Sequence, residues 1–107
     1  MSRRVTTNTT MTDREIVEAT AKQQGVDYQI TGNTVHFTSG AIRGAVLDLR
    51  TGDITGDSDY GHSARTLKGL VQGYSETKIK MELAKQGGYV EQRMMQGDKV
   101  VLVCQIG

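Results

Sequence analysis

The sequence predicts an α+β domain, a two-layer sandwich in which a mostly antiparallel sheet of β-hairpins carries two helical segments on one face. Three observations lead there. A helix start, "TDRE" at 12–15, opens a short amphipathic stretch that Gly25 closes. Between 26 and 55, apolar residues alternate with polar ones and are cut by Gly-Asn and Thr-Gly pairs. From 63 to 86 the apolar spacing lengthens to a helical period. At 107 residues the chain is read as one domain, 1–107, because a second would have too little chain for its own core.

The elements follow in order. "RVTTNTTM" at 4–11 is rich in β-branched residues and suits an edge strand. Thr12 and Glu15 then form a capping box, the hydroxyl accepting from the third helical amide and the carboxylate reaching back. The helix spans 13–24, with Ile16, Ala19 and Thr20 on a narrow apolar face and Val17 at its margin. Tyr28 and Ile30 alternate with polar residues, as do Val35 and Phe37, and Gly32-Asn33 between them makes a tight hairpin turn. Val46, Leu47 and Leu49 before Thr51-Gly52, with Ile54 after it, give a second hairpin and a meander of three or four strands.

The long helical stretch places Leu67, Leu70, Val71, Tyr74 and Met81 on one face. Lys78 falls inside that face, and Gly69 and Gly73 weaken the first half by about 1 kcal/mol each. A bent helix, or two helices meeting near Tyr74, is expected. Gly87-Gly88 ends it. Residues 89–95 and 99–106 then make a last hairpin around Gln96-Gly97-Asp98. The final strand is apolar on both faces through Cys104, which predicts a central strand covered by helix and a core cysteine.

Composition narrows the class. Aromatics are Phe37 and four tyrosines, so the core is aliphatic. The net charge of +1 gives no general field for nucleic acid or anionic membrane. With Cys104 alone no internal disulfide forms, which points to a reducing, cytoplasmic setting. No apolar run approaches the ~20 residues of a membrane span, and Arg3-Arg4 leads into threonines instead of a hydrophobic signal core.

Two stretches together carry a family likeness. One is "MSRRVTTNTTMTDREIVEA"; the other is "GLVQGYSETKIKMELAKQGGYVEQ", followed by a hairpin whose turn holds Gly97-Asp98. This arrangement resembles the small proteins of cyanobacteria and chloroplast genomes known as a hypothetical chloroplast reading frame, a family of unknown function with relatives in other bacteria and in phages. The likeness covers both ends of the chain. Arg3-Arg4 stands where relatives often have His-Phe, and tryptophan is absent. The resemblance implies the α+β layout and carries over no catalytic residue.

The most reactive-looking segment is "DITGDSDYGHSA" at 53–64. Asp57-x-Asp59-x-Gly61 has the alternating oxygens of a calcium loop, but the fifth position is a glycine and the twelfth is Lys68. His62, His36 and Cys104 lie on three different predicted elements without metal-ligand spacing. Ser63 beside His62 is a sequence neighbour, better used as the N-cap of the long helix. No catalytic constellation, metal or cofactor is assigned. Asp57, Asp59, His62, Ser63 and Arg65 remain the ligand-binding candidates, for an anion at the helix start or a metal. Arg3, Arg4, Arg43, Arg50, Arg65 and Lys68 could gather into a nucleic-acid patch, but interleaved aromatics are missing and ordinary surface charge is preferred. Ile79 and Leu83, off the main apolar face, are the candidate partner contact, with self-association into a homo-oligomer left open. The function expected is a non-enzymatic accessory or binding module acting on another protein. An anion- or metal-binding protein or enzyme is the first alternative and a weak nucleic-acid binder the second.

Overall fold

The first strand, β1 (Arg4–Asn8), pairs with the last strand of a meander, and that closure defines the main sheet. A computed structural model describes residues 4–57, 64–97 and 99–106. Element order is β1, α1 (Arg14–Gln24), β2 (Tyr28–Thr31), β3 (Thr34–Phe37), β4 (Val46–Asp48), β5 (Asp53–Asp57), α2 (Ala64–Lys85), β6 (Gly88–Gln96) and β7 (Lys99–Ile106). The fold is α+β with antiparallel pairing throughout. A five-stranded sheet runs β1-β5-β4-β3-β2, and β6-β7 form a separate two-stranded sheet. The chain falls into two compact units with the division inside α2, after Tyr74.

In the first unit the strand alternation sorts the faces. Ile30 pairs with Val35, Val35 with Leu47, Leu47 with Ile54, and Ile54 with Thr7, so these side chains share one face. Val35, Leu47 and Ile54 are fully buried. Each such side chain contributes about 1.5–3 kcal/mol relative to an exposed one. The same core takes Ile16, Val17 and Ala21 from α1 and Leu67, Leu70 and Tyr74 from α2. The opposite face carries Arg4, Thr6, Asn8, His36, Asp48, Asp53, Thr55 and Asp57, which are exposed or half-buried.

Helix α1 begins one residue later than the capping box predicts. Asp13, not Thr12, is the N-cap, its carboxylate accepting from the Glu15 and Ile16 amides at 3.0 and 3.4 Å. The Thr12 hydroxyl instead donates to the Thr10 carbonyl. A carboxylate at this position also complements the positive helix end. Val17 belongs to the centre of the buried face and not its margin, whereas Ala19 is half-buried. Gly25 ends the helix in the left-handed region (φ 67°), its amide and that of Val26 donating to the Lys22 and Ala21 carbonyls.

Two glycines hold the first unit together. Gly52 has φ +81° and its carbonyl accepts from the Thr9 amide at 3.0 Å, while a Cβ there would overlap the Thr9 carbonyl oxygen. On α2, a Cβ at Gly73 would meet the Gln24 amide and the Thr20 methyl of α1. Gly73 is therefore where the two helices come close, and the Gln24 side chain passes it to donate to the Gly69 carbonyl at 3.4 Å.

α2 is one continuous helix across the expected bend. Lys78 is exposed, and Thr77 takes the buried position one turn beyond Tyr74. The sequence-based face drifted because spacing of four from Tyr74 reaches Lys78, whereas the spacing used is three.

In the second unit, α2 from Ser75 onward joins β6 and β7. Arg93 Nε on β6 donates to Glu76 Oε1 at 2.8 Å, with the Glu76 side chain largely buried. Gly88 opens β6, and a side chain there would strike the Gln105 carbonyl. A bulge at Glu91 shifts the β6 register between Val90 and Gln92. β7 is not the covered central strand expected from its composition. Val100 to Val103 are only half-buried and Cys104 is exposed, because β7 has β6 as its sole sheet neighbour among the described residues.

Candidate functional site

Two surfaces are candidates, one in each unit. The first is the polar face of the five-stranded sheet. Alternation sends every second side chain of β1, β4 and β5 outward, and antiparallel register sets Arg4 beside Asp57 and Thr6 beside Thr55. The Thr6 and Thr55 hydroxyls are 3.3 Å apart, and Asn8 Nδ2 donates to Asp53 Oδ1 at 2.7 Å. A shallow depression of about 580 Å³ lies here, lined by Arg4, Thr6, Val46, Asp48, Asp53, Thr55 and Asp57 among others. One arginine against three aspartates gives it no basic character. Thr6, Thr55 and Asp53 are engaged in these cross-strand hydrogen bonds.

The predicted loop is only partly placed. Asp57 ends β5 on this polar face, and Arg65 is exposed in the first turn of α2. Asp59, His62 and Ser63 lie outside the described residues. His36 is exposed on β3, on the polar face, while Cys104 is on the separate β6-β7 sheet. Among the described residues no group of three His, Cys, Asp or Glu side chains could hold a metal ion.

The Tyr28 phenol is pushed above its ordinary value of 10.0 by desolvation and then by the neighbouring Glu18 carboxylate, to which it donates at 3.3 Å. A raised value keeps the phenol protonated, so the pair serves as a strut between β2 and α1. It is not an activated base or nucleophile.

The second surface is the β6-β7 ribbon. Among the described residues the exposed large hydrophobics are Ile79, Tyr89, Met94, Met95 and Ile106, all in the unit that begins at Ser75. Tyr89 is 60 %, Met95 54 % and Ile106 67 % exposed. The register places Tyr89, Met94, Val101 and Val103 on one face of the ribbon and Val90, Met95, Val100 and Leu102 on the other. The proposed Ile79/Leu83 contact does not form a surface ridge. Ile79 is exposed, but Leu83 is buried against the Gly88 turn. The ribbon residues were missed because an apolar strand reads as buried; the loss of alternation in "EQRMM" at 91–95 is the signal that could have marked them.

Among the described residues no helix is long and apolar enough to cross a membrane. No protein family, curated protein or solved structure matches the chain.

Proposed function

We propose that this chain is a non-enzymatic accessory or binding module that acts on another protein, with the β6-β7 ribbon as its contact element. The observation that carries this reading is the concentration of exposed Tyr, Met and Ile side chains on one two-stranded ribbon. Tyrosine and methionine are enriched at protein interfaces, and methionine adapts its shape to a partner's surface. An isolated two-stranded ribbon is at best marginal in water, so a partner that covers the exposed side chains adds stability to that of the α2 contacts. The exposed Cys104 thiol fits a reducing, cytoplasmic setting, where it stays free.

The test is site-specific photo-crosslinking in extract of the native host. A crosslinker at Met95 or Tyr89 is expected to give a discrete adduct with another protein. One at Gln29, exposed on the polar face of the first unit, is expected to give none. Equal labelling from Gln29, or no protein adduct from the ribbon, sinks the reading.

A further inference from the structure

Among the described residues β7 pairs with β6 alone, so its outer edge presents unpaired backbone N–H and C=O groups. Edge strands are ordinarily blunted by charge, proline or a bulge. β6 is blunted in this way, with the bulge at Glu91 and with Glu91 and Arg93 in its middle. β7 is not. It is regular, and from Val100 to Ile106 it carries no charged side chain, with Lys99 at its start.

We propose that β7 is a self-association edge: two copies pair β7 to β7 antiparallel about a two-fold axis at Leu102, building a four-stranded sheet β6-β7-β7-β6. In that register Val101 faces the partner's Val103, Val100 faces the partner's Cys104, and Lys99 faces the partner's Gln105. The charges then complement each other. Gln105 Nε2 donates to Glu91 Oε2 at 2.7 Å, so the Glu91 carboxylate overhangs Gln105 on the same face. Directly opposed residues in an antiparallel pair have Cβ atoms about 5 Å apart. The Lys99 ammonium of one copy therefore reaches the Glu91 carboxylate of the other, and the two-fold repeats the contact.

A one-residue slip and a parallel pairing lose this match. A slip by one residue sets Lys99 against Ile106 and moves it to the other face from Glu91. Parallel pairing brings the two Lys99 side chains together. A second copy is thus the occupant that the edge fits, and four strands exceed the two-stranded limit of marginal stability. The proposal concerns the strand edge and stands apart from the ribbon faces offered to another protein.

Sedimentation equilibrium on the purified chain tests it, with no extract present. A reversible dimer is expected. Lys99→Glu puts two like-charge pairs across the axis and is expected to weaken the dimer about tenfold or more at low salt. Both Lys99 and Glu91 are exposed, so the fold is kept, as circular dichroism verifies. The double variant Lys99→Glu/Glu91→Lys is expected to restore wild-type affinity to within about threefold. In a Cys104→Ser background, Leu102→Cys on the axis is expected to oxidise to a covalent dimer and Gln105→Cys to stay monomeric. A monomer at every concentration, an unchanged affinity in Lys99→Glu, failure of the double variant to recover, or no preference for Leu102→Cys each overturns the proposal.

Discussion

The two units spend their apolar residues in opposite ways. In the first, the strands of the sheet keep their large hydrophobic side chains on one face, Val46 apart, and Val35, Phe37, Leu47 and Ile54 are buried by α1 and the start of α2. In the second, β7 is as apolar as any strand of the chain and β6 carries Tyr89, Val90, Met94 and Met95, yet Tyr89, Met94, Met95 and Ile106 are exposed. Composition alone does not bury a strand. A strand is buried when its neighbours close both its edges and one of its faces, and β7 has only one neighbour among the described residues. The first unit is thus a packed scaffold, and the second leaves several large apolar side chains exposed.

Substitutions sharpen this contrast. Phe37→Ala empties a fully buried aromatic site of the first unit and is expected to cost about 4 kcal/mol in urea unfolding. Gly52→Ala combines a left-handed φ with overlap on the Thr9 backbone and is expected to cost about 3 kcal/mol, with loss of amide protection in β1. If either left the first unit's stability intact, the scaffold description would fail.

Gly69→Ala runs the other way. The position is helical with open space around it, so about 1 kcal/mol of added stability is expected from helix propensity alone. Gly73→Ala should not share that gain, because Gln24 must leave its hydrogen bond to Gly69. Equal effects at both positions would remove Gly73 as the helix crossing.

Met95→Lys on the ribbon is expected to change stability by less than about 0.5 kcal/mol while abolishing crosslinking to a partner. A large destabilisation would show that the ribbon is core.

The smallest effect is in alkaline solution. The folded Tyr28 value is raised, so the unfolded phenol ionises first. Its contribution is complete below the ordinary value of 10.0 and is lost as pH rises through the higher folded value. Tyr28→Phe should flatten the alkaline limb of stability against pH, and an unchanged slope would dismiss the Glu18 contact.

Local chemistry was readable residue by residue. The glycine that ends α1, the Gly32-Asn33 turn and the Gly52 turn all stand where turn propensity puts them, with Gly32 at φ 59° as a tight hairpin of this length requires. Thr12 and Asp13 are both good caps, so the sequence could not choose between them; only the helix start decided in favour of Asp13. Asp57 was named as a site residue for a cation or anion, and the structure sets it on the polar sheet face in register with Arg4. That neighbour is 53 positions away in the chain, beyond any local pattern.

What the sequence determined by itself is the set of strands, turns and helices, because hydrophobic period, glycine and capping residues act within a few positions. It also determined that the last strand, β7, would be apolar. The tertiary structure alone decided which apolar strands are covered. It closed β1 onto β5 and brought Gly73 against Gln24, and it left β7 with a free edge among the described residues. Pairing and burial depend on which distant segments arrive at an edge or a face, and no local window of residues encodes that arrival.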